Sequence, residues 1–409
     1  MNKIKVLVKG VPIQMWVIAI GVFVNIVFFS LLWPVNAIYF HSVLHKSMTV
    51  TGMVLFVYSL AGFFGNSIGG MLYDRFGANK ILLVNTLISI VVIVSFIIWQ
   101  HNFWIYSGLI TVFGFLSYVP FPVFNALVTR AWPKGGRKGY NLIYVIFNVG
   151  TAIGTAVGGL LAHWSFLVIF IALAIGNLIF FFIALFIFRS YFPSSNTGTR
   201  DKRDGQKLAT NTAIHWGPIV TVLIGYGIAW CIYVQWMTIV PVYMQFIRLN
   251  TSTYSMLWTI NGLAVVFFQP CINWFVKRFP SLTLQLVGGI PLFGLSFFCL
   301  MFSHSYFVFV LGMLLLTFGE LLVWPAVPTI LSASTPSDKH GFIQGTVGSF
   351  AALGRMIGPL IGGWLYDTLP ILIVLAVLTF SAVLPFILFM LHHLRQRASH
   401  VDNSIAVRG

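Results

Sequence analysis

Apolar residues in this chain run in long unbroken stretches separated by short polar breaks, instead of alternating or recurring on one helical face. An α-helix needs roughly 20 apolar residues to cross the hydrocarbon of a bilayer. Twelve stretches reach that length, near 11–40, 49–72, 79–99, 103–128, 140–162, 165–188, 216–245, 253–276, 281–302, 305–334, 340–365 and 369–392. Backbone groups in lipid must be satisfied within the segment, so unbroken runs predict helices, whereas a barrel strand would alternate. The first run continues from about Pro12 to Phe40, longer than the core of a signal peptide, and is expected to stay as the first helix. Between the sixth and seventh runs lies the one long polar stretch, Arg189 to His215, whose SSNTGTRDKRDGQK has the composition of a flexible linker. The expected fold is an all-α membrane protein of twelve transmembrane helices in two six-helix bundles. Its parts are residues 1–190, a linker 191–214, a second bundle 215–394 and a tail 395–409.

Composition changes this picture little. Hydrophobic residues make up 59% and charged residues 7% of the 409 positions, against about 25% charged in soluble domains. The partner is therefore a lipid bilayer. The net charge of +16 does not imply nucleic acid, because Lys and Arg sit at segment ends and not on one soluble face. Those ends set the orientation. With a cytoplasmic N-terminus, the inside receives Lys3, Lys5, Lys9, Arg75, Lys80, Arg130, Lys134, Arg137, Lys138, Lys277, Arg278, Lys339, Arg395, Arg397 and the basic linker, and the outside only Lys46 and Arg248. Both termini are thus expected in the cytoplasm of a cell with this chain in its inner or plasma membrane. Cys231, Cys271 and Cys299 lie in apolar stretches with neither metal-ligand nor disulfide spacing, so no metal site is expected of them.

The two halves repeat one pattern. The fifth segment carries Gly150-x-x-x-Gly154-Thr155-x-x-Gly158-Gly159 and the eleventh Gly354-x-x-x-Gly358-Pro359-x-x-Gly362-Gly363. Phe113-Gly114 precedes Pro122 much as Phe318-Gly319 precedes Pro325. Glycines four apart let two helices approach closely in lipid. The proline of the eleventh segment removes a backbone donor, so the same helix could also serve as a hinge.

The break after the second segment reads Gly70-Met71-Leu72-Tyr73-Asp74-Arg75-Phe76-Gly77-Ala78-Asn79-Lys80. It is similar to the signature G-x-x-x-D-R-x-G-[RK]-[RK] of the major facilitator superfamily, with Gly70, Asp74, Arg75 and Gly77 matching and Lys80 arriving one residue late. The glycine-rich fifth segment resembles that superfamily's antiporter motif G-x-x-x-G-P-x-x-G-G, with Thr155 in place of proline. The chain thus resembles the drug:proton antiporter branch, although Tyr106 to Thr129 carries no Arg and the first segment offers Asn25 and Asn36 but no acidic residue. The resemblance implies a monomeric secondary transporter working by alternating access, with a small-molecule substrate, no cofactor and the proton gradient as energy source. It also implies that Asp74 latches the halves by facing the start of the eleventh helix.

Only seven acidic residues exist, and Glu320 alone falls inside a segment, where an ionised side chain costs a few kcal/mol. It is the candidate for proton coupling or substrate contact. Arg355, the one basic residue inside a segment, is its candidate partner. Asn25, Asn36, Asn125, Asn148, Tyr233, Gln235, Trp236, Tyr243 and Gln269 suit a mostly apolar cavity with a few polar groups, and each suits helix packing as well. The chain has no G-x-x-x-x-G-K-[ST] loop, no H-E-x-x-H pair and no paired intramembrane carboxylates, so neither an ATP-driven pump on one chain nor an enzyme is expected. The expected function is proton-coupled export of small amphipathic compounds or drugs. A carrier for one metabolite such as a sugar, amino acid or organic acid is the alternative, and a non-transporting receptor a remote one.

Overall fold

The computed structural model describes residues 11–32, 35–132, 137–191, 216–302, 304–333 and 340–406. Beyond Tyr191 the expected linker lies outside them, as do Lys3, Lys5, Lys9, Lys134 and Lys339 and the side chain of Gln269. Each of the twelve apolar stretches is helical where described. In order they are α1 (Ile13–Leu32, continued by Asn36–Ile38 and a π-turn Tyr39–Val43), α2 (Met48–Phe76), α3 (Ala78–Trp99), α4 (Phe103–Tyr118 and Pro120–Ala131), α5 (Arg137–Trp164) and α6 (Phe166–Phe182, continued by Ile183–Phe188). Then come α7 (Trp216–Tyr233 and Gln235–Phe246), α8 (Thr251–Phe267 and Gln269–Arg278), α9 (Leu282–Leu300), α10 (Tyr306–Ala333), α11 (His340–Thr368) and α12 (Ile371–Ser381 and Val383–Ala406).

Local chemistry sets the ends. Asn102 accepts from the amides of Trp104 and Ile105 at 3.1 Å each, and Ser165 from that of Leu167 at 3.1 Å, so α4 and α6 begin on side-chain caps. Pro120 opens the second piece of α4, and the Leu116 carbonyl, which its missing N–H cannot serve, accepts instead from Asn85 Nδ2 of α3 at 3.1 Å. Ten described helices are long and apolar enough to cross a membrane, or up to eleven if α8, bent by 50° between Phe267 and Pro270, is one span. Helix α11 is not among them, because its glycines and Arg355 dilute its apolarity.

The chain divides into two compact units. The first holds most of α1–α6 and takes in Asn250–Gly262, the opening of α8; the second holds most of the rest and takes in Ser47–Phe56, the opening of α2. In the first unit, the buried rings of Tyr39, Phe96, Tyr106 and Phe170 form one cluster, with centroids 4.7 Å apart for Tyr39–Tyr106 and 5.4 Å for Phe96–Phe170. The Tyr39 hydroxyl leaves that apolar cluster by donating to the Gln100 carbonyl at 2.7 Å. In the second unit, Trp236 is fully buried and its indole N–H donates to Ser296 Oγ at 3.0 Å. Phe246, Phe267, Phe307 and Phe380 are 70–74% exposed. In water that would favour aggregation; in lipid such rings meet an apolar solvent.

Candidate substrate and coupling site

The glycine motif of α11 builds the site. A Cβ at Gly354 would collide with the Gly227 carbonyl, and one at Gly358 with the Val234 side chain, so α11 lies backbone to backbone on α7. That close approach carries Arg355, the residue after Gly354, over the indole of Trp230, with Cζ 4.6 Å from the ring centroid. Trp230 in turn stacks parallel on Trp324 of α10, at 4.3 Å and 1° between planes. Tyr233 lies one turn further along α7, 5.3 Å from Trp230 and 5.4 Å from Trp324, and its hydroxyl donates to Glu320 Oε2 at 3.1 Å. Tyr226 and Phe293 complete the aromatic set, each 5.4 Å from Trp324.

Glu320 and Arg355 therefore belong to one aromatic cluster of the second unit. Both are half-buried, while Tyr226, Tyr233 and Phe293 are buried. Their compensation differs. A charge at the centre of a membrane helix costs roughly 2.5–3.5 kcal/mol on insertion scales. A hydrogen bond to a charged group returns roughly 1.5–3 kcal/mol, and a cation–π contact roughly 0.5–2 kcal/mol. Glu320 has the stronger kind of partner in Tyr233. Arg355 makes no hydrogen bond or ion pair among the described residues; it lies on the indole, with the Tyr226 hydroxyl in electrostatic reach. Pro359, one turn beyond Arg355, has no N–H to give to the Arg355 carbonyl.

Other expected residues fall elsewhere. Gln235 is buried at the α7–α11 seam, donating to the carbonyls of Cys231 and Gly358 at 2.8 Å each and accepting from Thr238 Oγ1 at 2.9 Å. Trp236 packs toward α9 through Ser296. Tyr243 is buried against Phe309, 5.9 Å between centroids. In the first unit, Asn25 is half-buried on α1 and Asn125 exposed on α4. Asn36 is buried with Oδ1 lacking a protein partner among the described residues, and Asn148 donates to the Tyr144 carbonyl of its own helix at 2.8 Å. These four belong to the first unit and Glu320 to the second.

Gly150, Gly154 and Gly158 lay α5 on α1 as their counterparts lay α11 on α7: added Cβ atoms would press on Ile26, the Val27 carbonyl and the Leu31 carbonyl. Gly159 abuts Ser252 and Ser255 at the opening of α8, and Gly362 and Gly363 abut Gln235 and the Met48 carbonyl. In the turn after α2, Gly70 would place a Cβ 3.8 Å from Pro122, and Gly77 has φ +78°, a conformation that favours glycine. Asp74 and Arg75 are exposed; Arg75 and the late Lys80 both lie over the Phe76 ring, at 5.1 and 5.0 Å.

Sequence reasoning missed two features. Tyr226, Trp230 and Tyr233 recur at i, i+4 and i+7 along α7, and Glu320 and Trp324 at i, i+4 along α10, a spacing that puts each set on one face. Asp367, four residues past the last motif glycine, is the second. Its carboxylate accepts from the amides of Met48 and Thr49 at 2.9 and 2.6 Å, while Ser47 Oγ takes that of Val50 at 3.2 Å. The first amides of α2 are thus all satisfied, and the helix dipole favours the carboxylate there. Burial pushes the Asp367 carboxyl up, but the donors from Thr49, Met48 and Ser47 outweigh it and hold it below the usual carboxylate range. Apart from these sites, a cavity of about 450 Å³ at Leu185, Phe186, Arg189 and Ser190 lies at the end of α6, in the first unit.

The family model of the Major Facilitator Superfamily matches residues 18–288 and 236–406. The chain belongs to the Major Facilitator Superfamily. It is accordingly a multi-pass membrane protein and a secondary transporter of small molecules, not an enzyme. It is 41% identical to YttB of Bacillus subtilis (strain 168), an uncharacterized MFS-type transporter, over 87% of this chain and 89% of the relative. A multi-drug resistance efflux pump PmrA homolog of Lactococcus lactis subsp. lactis is 26% identical over 82% of this chain and 83% of its own. Among solved structures, the POT family transporter PepTSo superposes with TM-score 0.75 at 14% identity, covering 95% of this chain and 99% of that one, a likeness of fold.

Proposed function

We propose that this facilitator exports small amphipathic compounds in exchange for protons by alternating access, with Glu320 carrying the proton. The chain lies in the cell membrane with both termini in the cytoplasm, the orientation that its Lys and Arg bias favours. The observation that carries the reading is the Tyr233–Glu320 hydrogen bond within an aromatic cluster. A tyrosine hydroxyl donates to a carboxylate and accepts from a carboxylic acid, so Tyr233 can hold Glu320 in either protonation state. Glu320 is half-buried and so is not sealed within the protein. The flat apolar faces of Trp230 and Trp324 suit amphipathic cargo. Likeness to an efflux pump homolog agrees with the outward direction.

The test uses everted membrane vesicles with an acidified interior and a quenched fluorescent pH probe. Anionic, neutral and cationic amphipathic compounds are added in turn. An exported compound draws protons out of the vesicle, and the fluorescence recovers. Glu320→Gln is expected to abolish recovery and Tyr233→Phe to slow it. Full recovery in Glu320→Gln, with unchanged pH dependence, would remove Glu320 as the carrier.

A further inference from the structure

We propose that Arg355, Trp230 and Trp324 form a recognition site for a planar aromatic carboxylate. This names a substrate class for the exporter reading and rests on it for transport, though not for binding.

Arg355 presents a fork of five N–H donors, and the π face of Trp230 accepts none of them as a carbonyl or carboxylate would. Among the described residues no hydrogen bond or ion pair occupies that fork, although the Tyr226 hydroxyl lies within electrostatic reach of it. The carboxylate of the same cluster, Glu320, already receives a donor from Tyr233. A half-buried guanidinium held in place by an indole, with its donors unspent, is complementary to an incoming oxyanion. The planar carboxylate is the group its parallel donors fit two at a time. A single arginine favours a monoanion, since no second cation is seen at the cluster among the described residues, and Glu320 of the same cluster adds a further reason against a dianion.

The rest of the ligand follows from what surrounds the arginine. Trp230 and Trp324 are stacked in parallel and each is half-buried, and Tyr226 and Phe293 stand edge-on at 84° and 68° to Trp324, so a ligand ring would meet this aromatic set at its exposed side. Rings prefer offset-stacked and edge-to-face neighbours, so a flat aromatic body is favoured over a globular aliphatic one. The matching position in the first unit differs: where Gly354 meets Trp230, Gly150 meets Ile26, and the position matching Arg355 is Thr151.

The experiment measures equilibrium binding of radiolabelled naphthoate, naphthamide and naphthylmethylamine to the purified full chain in detergent. One ring is thereby offered with an anionic, a neutral and a cationic group. Wild type should bind naphthoate at least about ten-fold tighter than naphthamide. Arg355→Gln should bring naphthoate down to the naphthamide level while leaving naphthamide within about two-fold, which also reports that the variant is folded. Arg355→Lys, keeping the charge without the fork, should fall between, and Trp230→Ala should weaken both ligands. Equal binding of naphthoate and naphthamide by wild type, or a preference that survives Arg355→Gln, would overturn the site. Efflux in everted vesicles keeps the two readings apart. Arg355-dependent naphthoate binding without proton-driven efflux overturns the exporter reading alone, and proton-driven efflux of only the amide or amine overturns the aromatic carboxylate site alone.

Discussion

The seam of α5 on α1 and the seam of α11 on α7 are two versions of one design. In each, glycines four apart bring one helix against the backbone of another, and the last glycine touches the opening of a helix from the other half of the sequence. The first seam adds neutral hydrogen bonds: Thr155 bonds back to the Thr151 carbonyl of its own helix at 2.9 Å, the Ala152 carbonyl accepts from Thr259 of α8 at 3.2 Å, and His163 is exposed past the last glycine. The second seam holds Arg355 over Trp230, replaces the threonine with Pro359, and ends in Asp367 clasping the amides of α2. The glycines explain packing in both units. Among the described residues an arginine on an indole and a carboxylate helix cap are seen at the second seam alone, so chemistry is expected there and scaffold duty in the other.

The comparison can be broken at several points. The largest effects belong to the shared design: Gly154→Leu and Gly358→Leu each force a side chain into a neighbouring backbone, and overpacking of this kind costs about 1–3 kcal/mol or more. Both variants should lose most of their monodisperse protein in size-exclusion chromatography; loss at only one would show that the seams are not equivalent. Next come the paired positions. Arg355→Gln should lower efflux of an aromatic carboxylate at least about ten-fold, and Thr151→Val should stay within about two-fold of wild type. Equal losses would place function in both seams.

Smaller shifts are expected at the helix cap. Asp367→Asn retains one acceptor but loses the charge, so a cysteine introduced at Val50, with the native cysteines replaced, should react with a maleimide about three-fold faster than in wild type. His163→Asn should leave that rate unchanged. Because the Asp367 carboxyl is held below its ordinary range, the cap contributes stability at neutral pH and loses it as pH falls through and below that range, about 4 for a free carboxylate. Labelling in wild type should therefore rise toward the Asp367→Asn rate only under acid conditions; a rise already near neutral pH would contradict the cap. The smallest effect is assigned to the exposed Asp74. If the proposed latch holds, Asp74→Asn should slow efflux by about two-fold, and no change in rate would remove it.

Each helix could be read in the sequence because membrane insertion is a local demand. A run such as Ala78–Trp99 must satisfy its backbone within itself whatever surrounds it, so its extent was foreseen to within one residue. The paired glycine motifs were legible for a similar reason: spacing along a helix fixes which residues share a face. Glu320 and Arg355 stood out because charges inside apolar runs are rare. Their surroundings did not. Gln235 and Trp236 could be read as cavity or as packing residues, and each has a hydrogen-bond acceptor on another helix, which polarity alone does not foretell.

By itself, then, the sequence determined where the helices lie, that one pattern is used twice, and which charges are costly. Only the tertiary structure decided that Trp230 of α7 stacks on Trp324 of α10 beneath Arg355 of α11, and that Asp367 reaches amides 319 and 318 residues away. Periodicity fixes the direction of a side chain relative to its own helix axis. Which side chains meet depends on the rotation and crossing of neighbouring helices, and close packing between whole helix faces sets those.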